Sequence, residues 1–144
     1  MQTQEEVKTQ IKTLIENYPS VSIELLYTYF PAFNQLHEIL LDNELMKAYC
    51  FGNLESSEQK FKAGKWLIVC TDKRFLFLQK ASLLFDLTHF DIKFEDLKSI
   101  KTKVGWFFAE MNLQTFSSII RAFHIGKKDF KFFSIALDAL ASTL

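Results

Sequence analysis

Five lysines stand where they could hold a phosphate. Lys60, Lys62 and Lys65 lead into a strongly apolar stretch, Lys73 follows it, and Lys101 lies further on. Ammonium groups converging from neighbouring loops bind an anionic headgroup through charge-assisted hydrogen bonds. The same lysines are interleaved with Glu55, Glu58 and Asp72, which is also the pattern of an ordinary solvated face. A second set is aromatic: Tyr27, Tyr29, Phe30, Trp66, Trp106 and Phe108. Large rings are enriched at the cores of protein interfaces and also fill domain interiors, so this set is a candidate protein-contact surface with packing as the plain alternative.

Other chemistry is hard to find. There is no phosphate-binding glycine loop, no dinucleotide fingerprint, no Gly-x-Ser-x-Gly and no His-Glu-x-x-His. His37, His89 and His124 are far apart in sequence, and Glu95-Asp96 reads as a loop. No catalytic, cofactor-binding or metal-ligating residue is assigned, no cofactor or small-molecule substrate is expected, and the chain is expected not to be an enzyme. A site assembled from distant residues is the third-ranked reading. Cys50 and Cys70 belong to no Cys-x-x-Cys and lie in apolar stretches, which makes them free, buried small hydrophobes in a reducing compartment.

Half of the 144 residues are hydrophobic, and Phe alone supplies 16. That is one domain, or one domain with an extension. The formal net charge is zero but unevenly placed: residues 1–43 carry two lysines against six acids, and residues 44–144 carry 15 basic against 11 acidic residues. This weak basic excess, without an aromatic RNA-binding motif, argues against nucleic acid. No run of apolar residues is long enough to span a bilayer, and the polar, acidic start is unlike a signal peptide, so the expected location is cytoplasmic.

Period-two alternation and turn residues predict strands at 45–52, 65–71, 74–79, 87–94, 98–104, 106–115 and 117–125. The four glycines fall at their ends in this reading, Gly52 closing the first. Trp66, Ile68 and Cys70 alternate with Leu67 and Val69, so both faces of the second strand are apolar. They must be covered by the first 41 residues or by another copy. In the sixth strand Phe107, Ala109, Met111 and Leu113 share the inward parity, with Trp106 and Phe108 outward. In the seventh, Ile119 and Ile120 compete for the inner face. The period then changes: Phe130, Phe133, Leu137 and Leu140 form one stripe of a C-terminal amphipathic helix that would plug an open barrel.

Before the strands, Thr3-x-x-Glu6 is a capping box, followed by a helical stripe of Val7, Ile11, Leu14 and Ile15. A second helical stretch from about Val21, broken at Pro31, leads to Phe33, Leu36 and Leu40. The chain thus divides into an α-helical extension, 1–43, and a mainly β unit, 44–144.

Seven strands closed by one helix is the order of a pleckstrin-homology (PH) domain. The segment from Gly64 through Trp66, Thr71 and Arg74 to Leu78 resembles the Thr-x-x-Arg hairpin of bacterial PH-like families. The run from Phe94 to Ile100 resembles their segment before strand five, and the YokE-like bacterial PH group is the match suggested over roughly residues 40–142. The resemblance implies a PH-like barrel or sandwich and no catalytic residues; the helical N-terminal extension lies outside it. Thr71 is read as supporting the turn and Arg74 as pairing with an acid. The leading functional expectation is a non-catalytic protein-interaction or assembly module, with a protein partner or self-association. The alternative is a peripheral membrane module binding anionic phospholipid through the basic loops.

Overall fold

The computed structural model describes residues 2–17, 36–80 and 87–141. Tyr27, Tyr29 and Phe30, and the helical stretch expected around them, lie outside the described residues.

Among the described residues, seven antiparallel strands follow an N-terminal helix, α1 (Gln4–Asn17), and a helical turn at 36–39: β1 (Met46–Ser56), β2 (Trp66–Thr71), β3 (Arg74–Lys80), β4 (Leu87–Lys93), β5 (Leu97–Val104), β6 (Phe108–Thr115) and β7 (Ile119–Gly126). A C-terminal helix, α2 (Lys127–Ala141), closes the chain. The sheet order is β4-β3-β2-β1-β7-β6-β5. This is the PH-like architecture, and it curls because β1 serves two neighbours. Met46 to Gly52 pair with β2, and Asn53 to Ser56 pair with β7.

Gly52 therefore does not end the first strand, as the sequence suggested, but sits inside it at the point where it changes partners. An added Cβ there would stand 2.8 Å from Ile125 Cγ1 and 3.1 Å from the Phe123 carbonyl oxygen. The glycine permits β7 to approach closely, which is a different use from a turn.

The curled sheet encloses a core of inward residues from both halves, among them Cys50, Trp66, Phe75, Phe77, Met111 and Leu113. Phe130, Phe133 and Leu137 of α2 are buried in it, so the C-terminal stripe does plug the barrel. The outer face of β2 is apolar for a second reason. Leu67 and Val69, with Leu76, Leu78 and Phe51, pack with Val7 and Leu14 of α1, with Leu36 of the helical turn at 36–39 and with Leu40 just after it. The N-terminal helix is thus a second layer on the β1–β3 half of the sheet. Its start is capped as the sequence indicated, the Glu6 amide donating to Thr3 Oγ1 at 3.2 Å. Gln10 ties it to β1 by accepting from the Met46 amide at 2.9 Å.

Both cysteines are free and buried. Burial pushes the Cys70 thiol up to about 12 and the Cys50 thiol well above its ordinary value. The thiolate is the reactive species, so neither should react in the native protein. Titration with an aromatic disulfide is expected to find no fast thiol in buffer and both in denaturant; rapid native labelling of either would contradict the enclosed core.

One local expectation fails and one open choice is decided, because alternation holds only along an unbroken ladder. Phe107 was expected to point inward with Ala109, yet it is 78% exposed. The chain leaves the ladder at Gly105, whose amide donates to the Phe108 carbonyl at 2.8 Å, so residues 105–108 form the turn and β6 begins at Phe108. In β7, Ile120 faces inward and Ile119 outward, but the parity then shifts. Ala109 pairs with Ile125 while Met111 pairs with Ala122, leaving an extra residue on β7. His124 takes up the bulge at φ 53°, in the left-handed region.

Candidate functional site

The five candidate lysines do not converge. Lys60, Lys62 and Lys65 lie in or at the end of the β1–β2 loop, whereas Lys73 is in the β2–β3 turn, at the other end of β2. Six residues of strand separate those ends by roughly 17–20 Å. Lys101 is on the edge strand β5, paired with Asn112 and three strands away from β1. Lys60, Lys62, Lys73 and Lys101 are exposed. Lys65 is half-buried and its Nζ donates to the His124 carbonyl; burial lowers its pKa.

The aromatic candidates separate just as sharply. Trp66 is only 2% exposed and so is no interface residue. Its ring packs edge-on against Phe61 and Phe90 inside the barrel, and its indole N–H donates to the Lys62 carbonyl at 3.0 Å. The parity that looked like a surplus apolar face is the inner face of a strand covered on both sides.

Thr71 and Arg74 join a buried polar cluster whose acid the sequence reading did not single out. Glu44 is fully buried. Its carboxylate accepts Arg74 Nε and a second guanidinium nitrogen, each at 3.0 Å, the Thr71 hydroxyl at 2.7 Å and the Leu41 amide at 2.9 Å. Arg74 also donates to Asp91 at 2.9 Å and to the Ile39 carbonyl at 2.8 Å. Thr71 Oγ1 accepts the Lys73 and Arg74 amides, fixing the turn. Burial alone would raise the Glu44 pKa. The hydrogen bonds from Arg74, Leu41 and Thr71, with the Arg74 charge, more than offset this and hold it below the usual carboxylate range. Both Glu44 oxygens are occupied, and the cluster binds the segment before β1 to the β2–β3 hairpin.

The remaining unusual feature is the β5–β6 tip. Trp106 is 90% exposed, Phe107 78% and Phe108 52%, with exposed Val104 beside them. The turn is well made. Besides the Gly105 to Phe108 hydrogen bond, the Phe107 carbonyl accepts the Lys127 amide at 3.2 Å. Phe108 pairs with Gly126, and its ring lies 5.2 Å from that of His124 and 6.0 Å below Lys65 Nζ. On one flank is a hollow of 260 Å³ lined by Lys103, Phe108, Glu110, Arg121, Phe123 and His124. Glu110 and Glu55 are both engaged by Arg121, at 2.6 Å each. Trp106 and Phe108 were sequence candidates, and Phe107 was missed. Gly105 followed by three consecutive rings was the available signal, since a glycine reversal lifts its neighbours out of the ladder.

A profile described as "Bacterial PH domain" matches residues 40–138. The chain belongs to this family. The PH domain takes in all seven strands, the tip, Glu44 and Arg74, while α1 precedes the matched span. Among solved structures, the pleckstrin homology domain from Shewanella amazonensis SB2B is similar at 19% identity over 69% of this chain and 79% of that one, with a TM-score of 0.38. No curated protein matches the chain. PH domains are in general binding modules and not catalysts.

Proposed function

We propose that this PH domain is a non-catalytic interaction or assembly module of the YokE-like kind, working in the cytoplasm, and that it docks through the β5–β6 tip. The observation that carries the reading is Trp106, nine-tenths exposed beside two further exposed rings. A folded chain rarely leaves a contiguous apolar patch in water without a use for it. The reading divides the chain at 43/44: the extension covers the outer face of β1–β3, and the PH domain carries the contact surface. The phospholipid reading through Lys60, Lys62, Lys65, Lys73 and Lys101 is less favoured, because those lysines are spread over both ends of β2 and a distant edge strand.

Photo-crosslinking in producing cells tests the docking surface. With p-benzoylphenylalanine at position 106 or 107, adducts to protein or lipid are expected well above those from position 73, an exposed site at the β2–β3 turn. Equal yields at all three positions, or none, would mean that the tip is not where the domain docks.

A further inference from the structure

We propose that the body the tip docks on is an anionic lipid surface, with Trp106, Phe107 and Phe108 seated at the boundary between headgroups and acyl chains. This rests on the docking reading above and names its partner.

Three features of the tip favour a bilayer. The first is shape. The rings project from the turn of a hairpin, and a convex tip can surround all of its rings in a fluid phase, while a flat protein face would cover one side of each. Trp in particular prefers the membrane–water interface, where its ring is buried and its N–H stays wet.

The second is the backbone. Entering an apolar medium strands any unpaired amide or carbonyl. Here the Gly105 amide and the Phe108 carbonyl bond each other, and the Phe107 carbonyl is taken by the Lys127 amide. Three of the turn's backbone polar groups, the Gly105 amide and the Phe107 and Phe108 carbonyls, are therefore already satisfied within the protein.

The third is charge. Lys103 precedes the turn by two residues, and Lys127 and Lys128 begin α2 where its backbone bonds to Phe107. Cations at a helix N-terminus oppose the macrodipole, so this is a poor place for two lysines if helix stability were their only role. At the foot of an aromatic tip they form a positive collar at headgroup depth. The neighbouring carboxylates do not cancel it: Glu110 is engaged by Arg121, and Asp129, the acid in the first turn of α2, is one charge against the three of Lys103, Lys127 and Lys128.

The protein carries its own reporter. Of the two tryptophans, Trp66 is buried and Trp106 is exposed, so a change in emission on binding comes from the tip. The full chain is mixed with vesicles of phosphatidylcholine alone or with about one-third phosphatidylglycerol, and followed by emission, acrylamide quenching and co-sedimentation. With anionic vesicles at low salt, emission is expected to shift to the blue, quenching to fall, and both to reverse as salt is raised. W106A/F107A and K127E/K128E are each expected to lower co-sedimentation by roughly tenfold or more. K60E/K62E is expected to leave it unchanged, and all three variants should keep the wild-type melting temperature within a few degrees. Equal binding to both vesicle types, or loss of binding in K60E/K62E alone, would overturn the proposal. So would no binding to either. In that last case, protein adducts from position 106 in cells would keep the docking function and move it to a protein partner or a second copy. Absence of adducts as well would remove both.

Discussion

Arg74→Ala is expected to destabilise the protein by about 3–5 kcal/mol, because it strands the Glu44 carboxylate inside the structure. Glu44 is fully buried, and two guanidinium nitrogens reach its oxygens at 3.0 Å. The Thr71 hydroxyl and Leu41 amide that remain cannot replace a unit of opposite charge. The loss is a large part of the 5–15 kcal/mol that keeps a typical domain folded, so the variant should be partly unfolded near body temperature. Urea denaturation measures it. The double variant Glu44→Leu/Arg74→Leu is expected to lose much less than the two single changes combined, since it removes the desolvated charges together. A loss below about 1 kcal/mol in Arg74→Ala would show that Glu44 reaches water.

The same cluster sets an acid limit. The folded pKa of Glu44 lies below its unfolded value of 4.5, so the native state favours the ionised form. Its contribution is complete above that value and is lost as pH falls below it through the lowered folded pKa. Unfolding midpoints should drop over that window, and Glu44→Gln should flatten this part of the profile while lowering stability at neutral pH.

Phe133→Ala carries the second large effect, again about 3–5 kcal/mol. The ring is fully buried, packed at 6.2 Å from Phe75 and 6.3 Å from Phe130, where α2 closes the barrel. The sheet that encloses the site is ordered by its own ladders, so it has little freedom to collapse into the space left. Urea unfolding at equilibrium is the measurement. A cost under about 1 kcal/mol would mean that the helix rests on the barrel without completing its core. Phe133→Leu, which keeps most of the volume, should recover the greater part of the loss.

The bilayer proposal and these two stability effects use separate parts of the molecule. The Glu44–Arg74 cluster and the α2 plug are interior, whereas Trp106 and Phe107 touch almost nothing. Variants of the tip should therefore change docking at constant stability, and variants of the interior should do the reverse.

What the amino-acid sequence determined by itself was whatever a short stretch of chain can encode. The β2–β3 hairpin was legible because apolar runs flank Asp72-Lys73, and the structure pairs Leu67 with Leu78 and Cys70 with Phe75 across that turn. The plug helix was legible because Phe130, Phe133 and Leu137 keep a helical period, and the α1 cap because Thr3 and Glu6 stand three residues apart. Only the tertiary structure decided which faces are covered, and by what. Alternation says that Trp66 and Ile68 share a side, but not that α1 would take the other side and leave Trp66 inside. Glu44 and Arg74 are 30 residues apart, and nothing local distinguishes a carboxylate that will be desolvated from one that will not. Gly52 reads as a strand end until β7 is brought against it. The lysines looked like one basic site because sequence proximity hides the length of the strand between them. The tip runs the other way: Phe107 obeys the inward parity of its neighbours, and it is exposed because the turn at Gly105 carries it beyond the last rung of the ladder.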